Sequence, residues 1–217
     1  MRITRREFVV STAAVLAASA LLGSAPLAFA QGPSNEELMR PGALPDLVLG
    51  KADAPVTIIE YASMTCPHCA NFHKTTYPAL KTKYIETGKV RFIFREFPLD
   101  ELAAAAAMMA RCIDPQNGEK AMAVIDVLFH SQDKWAVRNP VPQLQQIAKQ
   151  AGMTEKAFEE CLANQKLYND VLAMRERGSK EYKVESTPTL FVNGKIQKGG
   201  ATIEELDKLI APLLPKS

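Results

Sequence analysis

Two cysteines separated by two residues carry the clearest chemical signal in this chain of 217 residues. They form the motif Cys66-Pro67-His68-Cys69, which directly follows an apolar, β-branched run at 56–61. A cysteine pair at this spacing can cycle between a dithiol and a disulfide. At a helix N-terminus, unpaired backbone N–H groups and a partial positive charge stabilise the first sulfur as a thiolate. Because the thiolate is the reactive form of cysteine, we interpret the motif as a redox site that follows a strand.

Two other uses of this cysteine pair stay open. Half of a zinc site would need a second Cys pair or a Cys/His pair at short spacing, and the sequence offers only His73 nearby. The pair could also be a purely structural disulfide. We predict no metal and no cofactor at the motif, and we expect His73 and His130 to be surface or packing residues.

Glu60 is the second candidate of chemical interest, six residues before Cys66 on an otherwise apolar strand. A carboxylate on a buried strand costs free energy unless it is paired or takes part in the chemistry. The alternative is a carboxylate at the strand end that reaches water or pairs with a lysine.

Residues 1–30 have the pattern of an export signal. Arg5-Arg6 precedes an apolar, alanine-rich stretch from Phe8 to Leu22, and Ala28-Phe29-Ala30 offers a small-x-small cleavage site. The paired arginines resemble a twin-arginine (Tat) signal, and an ordinary Sec signal is the alternative. The apolar stretch is shorter than the ~20 residues that span a bilayer. We therefore predict cleavage after Ala30 and a periplasmic location.

The charge balance gives no reason to expect a nucleic-acid partner. The predicted signal holds three arginines and one glutamate of the chain's 26 basic and 24 acidic residues, which leaves 23 of each. The slight positive charge of the whole chain therefore belongs to the signal.

The remaining cysteines, Cys112 and Cys161, both lie in a region of helical pattern. An even number of cysteines in an exported protein favours disulfides, so we expect a structural bond between two helices. A bond that closes a loop of ~50 residues would contribute roughly 3–4 kcal/mol on a chain-entropy estimate. Two separate buried thiols are the alternative. A second redox pair is disfavoured because neither cysteine lies in a C-x-x-C motif.

The order of predicted elements indicates an α/β fold. A strand at 56–61, a helix at 69–86 that Pro78 should interrupt, and a strand at 90–97 form a βαβ unit. A hairpin at 189–197 around Asn193-Gly194 and a helix at 203–214 form a ββα unit. Helical pattern fills the sequence between them, with helices expected at 101–112, 119–130, 141–151, 154–163 and 166–182. This order predicts a thioredoxin fold with an inserted all-helical domain.

We accordingly divide the chain into five segments. An N-terminal arm, extended except for one helical turn at 36–39, follows the signal, and the helical insertion separates two halves of the thioredoxin domain. The predicted limits of signal, arm, first half, insertion and second half are 1–30, 31–50, 51–98, 99–183 and 184–217.

The chain resembles the DsbA-like family of exported thiol-disulfide oxidoreductases from roughly Gly50 to its C-terminus. The resemblance rests on the Cys-Pro-His-Cys motif, on Phe94-Arg95-Glu96-Phe97-Pro98, on the helical insertion and on Ser186-Thr187-Pro188-Thr189 before the hairpin. Within the family the chain is most similar to a group common in alphaproteobacteria, some of which also have a second disulfide.

The resemblance implies a role for each residue of the motif. Cys66 is expected to be the exposed attacking sulfur and Cys69 the deeper resolving thiol, with a mixed disulfide forming at Cys66. The Pro-His dipeptide is typical of strong oxidants in the family. His68 is expected to stabilise the Cys66 thiolate, and therefore the reduced form, which makes the oxidised form a strong oxidant.

The resemblance also implies roles outside the motif. Pro188 is expected to be a cis-proline that faces the cysteines and leaves the Thr187 backbone free to pair with an extended substrate chain. A trans-proline that starts a strand is the alternative. Thr187 departs from the valine of the best-known DsbA oxidases, and threonine there also occurs in isomerases. The buried acid of the family, here Glu60, passes protons to and from the resolving thiol.

Three functions are consistent with these observations. The first is a dithiol oxidase of unfolded or newly exported proteins, reoxidised by a DsbB-type membrane partner. The second is an isomerase or reductase kept reduced by a DsbD-type partner. Isomerases usually dimerise through an N-terminal domain, which 31–50 is too short to form, so we expect a monomer. The third is a Cu(I)-binding metal-resistance module that uses Cys66 and Cys69 as soft ligands.

Overall fold

The computed structural model describes residues 33–40, 42–113, 115 and 118–215, and the predicted export signal lies outside them. Within these residues, one sheet contains β1 (Leu47–Leu49), β2 (Val56–Ala62), β3 (Val90–Glu96), β4 (Thr189–Val192) and β5 (Lys195–Lys198). The α-helices are α1 (Asn35–Leu38), α2 (Pro67–Thr75), α3 (Tyr77–Leu80), α4 (Glu101–Ile113), α5 (Gly118–His130), α6 (Gln132–Trp135), α7 (Val141–Gln150), α8 (Glu155–Leu162), α9 (Gln165–Lys180) and α10 (Ile203–Ile210). None of these helices is long and apolar enough to cross a membrane.

The strands follow the order β1-β3-β2-β4-β5 across the sheet. β2 and β3 run parallel, with Ile58 opposite Phe92, and every other neighbouring pair is antiparallel. β2 and β3, joined through α2, are the predicted βαβ unit, and β4, β5 and α10 are the predicted ββα unit. The pairing of β2 with β4 joins the two units in one sheet. This arrangement confirms the thioredoxin fold with a helical insertion.

The edge strand β1 is a feature that the sequence analysis did not predict. Leu47–Leu49 lies in the segment assigned to an extended arm, and it pairs antiparallel with β3. Earlier in the arm, the predicted helical turn is present as α1, and a capping box between Ser34 and Glu37 starts it. The sheet therefore begins before residue 50.

The helix after the cysteine motif is divided as predicted. α2 ends at Thr75, and α3 begins at Tyr77 with Pro78 in its first turn. Proline lacks an N–H and fixes its own φ, so it favours the first turn of a new helix over the interior of an existing one. A π-helical turn, Lys81–Ile85, completes the segment before Gly88, whose φ of 73° ends it.

The helical insertion packs around α4. The alanine- and methionine-rich face of α4 is buried, and the main core cluster continues from it through α5 and α7 to the helix side of the sheet. The short helix α6, which the sequence analysis did not separate from its neighbours, carries the fully buried Trp135. The Trp135 indole N–H donates to the Leu128 carbonyl at 2.7 Å, which satisfies its only polar group.

The predicted hairpin between β4 and β5 turns at Asn193-Gly194. Both residues have positive φ, 43° and 87°, which is the requirement of a type I′ turn. The Asn193 side chain also accepts a hydrogen bond from the Thr57 N–H at 2.6 Å and donates to the Pro55 carbonyl at 3.2 Å. These bonds attach the hairpin to the beginning of β2.

Two ion pairs, one partly buried and one buried, connect β3 to the rest of the molecule. Arg95 donates two hydrogen bonds to Asp46 of the arm, at 2.7 and 2.9 Å. Glu96 accepts two from Arg111 of α4, at 2.5 and 2.8 Å, and Arg111 also donates to the Pro45 carbonyl. Bidentate pairs of this kind fix orientation as well as distance. They hold the arm and the insertion against the strand that neighbours β2.

Candidate active site

Cys66 lies at the end of the loop after β2, as the N-cap residue of α2. Its backbone is extended, with φ −76° and ψ 120°, and Pro67 occupies the first helical position. Its carbonyl accepts the first helical hydrogen bond, from the Ala70 N–H at 3.1 Å. The chain therefore enters a helix directly at the first cysteine, and the sulfur lies beside the free N–H groups of that helix.

Both cysteines of the motif are free thiols in the structure, and both are buried. Cys66 is 4 % exposed and Cys69 is fully buried. Cys66 is the more accessible of the two, but the expectation of an exposed sulfur was wrong. The Cys66 Sγ lies 3.3 Å from the Thr187 carbonyl oxygen, so the loop before β4 covers it.

The Thr187–Pro188 peptide bond is cis, as the sequence analysis expected. Thr187 is buried, and its hydroxyl makes no hydrogen bond within the described part of the chain. The Cys66 thiol and the Thr187 carbonyl are direct neighbours although 121 residues separate them. The fold thus brings Thr187 and Pro188 to the first cysteine, where an incoming peptide would meet both.

The pKa values of the two thiols move in opposite directions. The hydrogen bond from the Cys69 thiol lowers the pKa of Cys66 to about 5; burial opposes this shift, and the backbone N–H groups of Cys69 and His68 support it. Burial raises the pKa of Cys69 far above its usual range, and its bond to Cys66 and the negative charge of Glu60 raise it further. At neutral pH the pair therefore holds one thiolate, on Cys66, and one thiol, on Cys69.

The His68 side chain is exposed and makes no hydrogen bond to any described residue. Its backbone N–H, rather than its imidazole, contributes to the low pKa of Cys66. A stabilising role for the imidazole stays a prediction.

Glu60 is fully buried on β2, and its partner is His73 of α2. The Glu60 Oε2 and the His73 Nε2 lie 2.9 Å apart, and both side chains are 0 % exposed. The assignment of His73 to the surface or to simple packing was wrong, because it is the buried partner of the acid. One signal could have found it: Cys69 and His73 are four residues apart and so share the helix face that packs on the sheet.

His73 is held between aromatic rings. Its ring stacks on Phe129 at 4.2 Å between centroids and lies against Tyr77 at 4.6 Å. Burial disfavours its charged form, but the negative charges of Glu60 and Asp126 and the hydrogen bond to Glu60 outweigh burial and raise the pKa of His73 to about 8. At neutral pH His73 is therefore a buried imidazolium beside Glu60.

Gln132 of α6 is a second residue that the sequence analysis missed. Its Nε2 donates to the Met64 carbonyl at 2.8 Å and to the Cys66 carbonyl at 3.0 Å. These bonds connect the helical insertion to the loop that carries the first cysteine. No local pattern in the sequence pointed to this contact, because it joins residues 66 or more positions apart.

Cys112 of α4 and Cys161 of α8 are joined by a disulfide in the structure. The bond closes a sequence separation of 49 residues within the insertion. It staples two helices that also pack against each other around Met108 and Leu162. In the described ranges, no group of three or more His, Cys, Asp or Glu side chains is placed to hold a metal ion.

The chain is similar to known proteins along most of its length, and it spans 60–66 % of the length of related Rickettsia proteins. Residues 43–211 match the model of a thioredoxin family. A Rickettsia bellii protein, provisionally named a protein-disulfide oxidoreductase, is 35 % identical over 173 residues, which are 79 % of this chain and 66 % of that protein. A Bacillus anthracis protein, provisionally named disulfide bond formation protein D, is 30 % identical over 68 % of this chain and 70 % of its own length. The crystal structure of Wolbachia pipientis alpha-DsbA1 aligns with a TM-score of 0.76 and 32 % identity, over 83 % of this chain and 96 % of that one.

Proposed function

Because this chain belongs to the thioredoxin family and to its DsbA-like branch of disulfide oxidoreductases, we propose that it is a dithiol oxidase. It donates the Cys66–Cys69 disulfide to unfolded or newly exported proteins. The observation that carries this proposal is the opposite shift of the two thiol pKa values. A site that stabilises one thiolate stabilises the reduced protein, and therefore favours giving the disulfide away.

The reaction follows from the positions of the two sulfurs. A substrate thiolate attacks the Cys66 Sγ of the oxidised protein, the S–S bond breaks, and Cys69 leaves and takes up a proton. A second substrate thiolate then attacks the substrate sulfur of the mixed disulfide. The substrate is oxidised, and Cys66 leaves as a thiolate. With a pKa of about 5, Cys66 is a good leaving group at neutral pH.

The loop at Thr187–Pro188 supports peptide binding next to the reacting sulfur. The Thr187 carbonyl contacts the Cys66 Sγ at 3.3 Å, so a peptide that reaches the sulfur also reaches this backbone. Pairing through main-chain atoms depends little on the substrate's sequence. This suits an enzyme that acts on many unfolded proteins.

Location and partners complete the proposal. The pattern at 1–30 supports export to the periplasm by a cleaved signal, of the Tat or the Sec type. A DsbB-type membrane protein would reoxidise the Cys66–Cys69 dithiol, and the protein would act as a monomer. An isomerase or reductase served by a DsbD-type partner is the competing proposal, which Thr187 before the cis-proline keeps open.

The test is the position of the redox equilibrium. The purified mature chain is equilibrated with glutathione buffers of graded potential, and the fraction of Cys66–Cys69 disulfide is read by mass spectrometry. The oxidase proposal expects the pair to be reduced in buffers that leave an unstrained protein disulfide oxidised. It also expects the oxidised protein to form disulfides in a reduced, unfolded substrate. A pair that stays oxidised in strongly reducing buffer would support a reductase instead.

A further inference from the structure

The buried pair Glu60–His73 continues outward to Asp126 on α5. We propose that His73 and Asp126 form a proton path between Glu60 and solvent, which delivers and removes the proton of Cys69. The inference rests on the proposed thiol–disulfide exchange, and it extends the site to two residues outside the cysteine motif and the Thr187–Pro188 loop.

The reaction requires such a path. When a substrate opens the disulfide, Cys69 leaves with the bonding electrons and needs one proton. When the pair is reoxidised, Cys69 gives up that proton, and its sulfur attacks the Cys66 Sγ of a mixed disulfide while the partner thiolate leaves. Cys69 is fully buried, so water cannot reach its sulfur directly. The raised pKa of Cys69 also means that it holds a proton whenever it is reduced.

The first part of the path is the contact between Glu60 and His73. The Glu60 Oε2 to His73 Nε2 distance of 2.9 Å is a hydrogen bond between two fully buried groups. The other carboxylate oxygen, Oε1, makes no hydrogen bond to any described residue. Glu60 can therefore exchange a proton through Oε1 and keep its bond to His73 through Oε2.

The second part runs from His73 to Asp126. The His73 Nδ1 lies 3.8 Å from the Asp126 Oδ1, and neither atom has a hydrogen-bond partner in the described ranges. One bridging water or a small rotation of the aspartate completes this link. Asp126 Oδ1 is buried, but its side chain is 42 % exposed overall. Asp126 thus faces the histidine on one side and solvent on the other.

Asp126 opens onto a surface cleft of about 520 Å³, which is also lined by Lys51, Tyr77 and Glu119. The cleft gives the aspartate direct access to water and small buffer molecules. A proton that leaves Cys69 through this route is released there, away from the Thr187–Pro188 loop. A bound substrate would therefore not block the exit.

The groups that face His73 make it a suitable intermediate carrier. Glu60 faces His73 from β2, Asp126 faces it from α5, and the Tyr77 phenol faces it from α3. The His130 Nδ1 lies 3.4 Å from the Asp126 Oδ1. β3 contributes the ring of Phe94, which carries no charge. With a pKa of about 8, His73 carries a proton at neutral pH and can still release it within the physiological range.

The experiment follows the two steps of oxidation separately. The reduced protein is mixed with excess glutathione disulfide, quenched at intervals, and analysed by mass spectrometry. Attack by Cys66 forms the mixed disulfide with glutathione, and attack by Cys69 then resolves it. We expect Asp126→Asn to slow the resolution step at least about tenfold and to increase its solvent deuterium isotope effect. Formation of the mixed disulfide and alkylation of Cys66 should keep their wild-type rates.

Three further variants make the result specific. Asp133→Asn removes an exposed carboxylate on α6 and should leave both steps unchanged. Asp126→Ala should be slow and should recover with added formate, which fits the cleft and restores a carboxylate. His73→Phe should be slow and should not recover with formate, because the inner link is missing.

Wild-type resolution rates and an unchanged pH profile in Asp126→Asn, or in a folded His73→Phe, would overturn the proton path. Asp126 is half-exposed, so its variants test the path even if His73→Phe fails to fold. The oxidase proposal fails separately, through the direction of the redox equilibrium. A wild-type protein that proved to be a reductant would still move the same proton through the same step.

Discussion

Acidification from pH 7 to pH 4 is expected to remove the stability that the reduced protein gains from the Cys66 thiolate. The pKa of Cys66 falls from 9.0 as a free thiol to about 5 in the folded protein. A group whose pKa is lowered by folding stabilises the fold fully above the unfolded value, and this contribution disappears as the pH falls through the folded value. At pH 7, two units above the folded pKa, the contribution is about 3 kcal/mol. At pH 4 it is close to zero.

The assay is denaturant unfolding of the reduced and oxidised proteins between pH 4 and pH 8. The difference in unfolding free energy between the two forms isolates the thiol, because the carboxylates and His73 are common to both. We expect this difference to move in favour of the reduced form by about 3 kcal/mol from pH 4 to pH 7. The slope between pH 5.5 and pH 8 should approach about 1.4 kcal/mol per unit.

Cys66→Ser is the matched control for this titration, because it removes the thiolate and keeps the size of the side chain. Its unfolding free energy should follow the pH dependence of the oxidised protein. A difference between reduced and oxidised wild type that stays flat across pH 5 would refute the argument, since Cys66 would then titrate as an ordinary thiol. The same result would remove the physical basis for the oxidase assignment.

Other predictions concern the cysteines and the contact from α6. Cys69→Ala should accumulate mixed disulfides with substrate proteins and Cys66→Ala none, as read on non-reducing gels; trapping by the reverse variant would contradict the assignment of the nucleophile. The Cys112–Cys161 bond should stay intact in a mild reductant that opens Cys66–Cys69, as measured by mass spectrometry. Opening of both bonds at the same reductant concentration would contradict this structural role for Cys112–Cys161. Replacing both Cys112 and Cys161 by Ala should lower the unfolding free energy by roughly 3–4 kcal/mol. Gln132→Met should lower the unfolding free energy by about 1 kcal/mol, and it should raise the pKa of Cys66 or slow its reaction. An unchanged unfolding free energy with an unchanged rate of Cys66 alkylation would show that the two hydrogen bonds of Gln132 do not position the loop.

The parts of the fold that depend on local sequence could be predicted. Asn193-Gly194 specifies its turn through the φ angles that it accepts, and Pro78 specifies a helix break through its own ring. The cysteine motif follows a strand and starts a helix, so its position in the fold could also be predicted from the neighbouring residues. In each case the residues that decide the structure are neighbours in the chain.

The missing parts depend on partners that are distant in the chain. β1 is three residues long and exists because β3 lies beside it, so its own residues carry little strand signal. His73 looked like an isolated polar residue because its partner, Glu60, lies on another element. The burial of Cys66 comes from Thr187, 121 residues away. Tertiary pairing of this kind leaves little local pattern for a sequence analysis to detect; for His73 the only signal was its spacing of four residues from Cys69.

The thiol state of Cys66 in the cell tests the central claim most directly. Cells that express the full chain are quenched with acid, free thiols are alkylated with a bulky maleimide, and the shift is read by immunoblot. An oxidase kept oxidised by a membrane partner should show Cys66 and Cys69 protected from alkylation, and both should become reactive after reduction. A protein with both thiols free in growing cells would contradict the account and would indicate an isomerase or reductase.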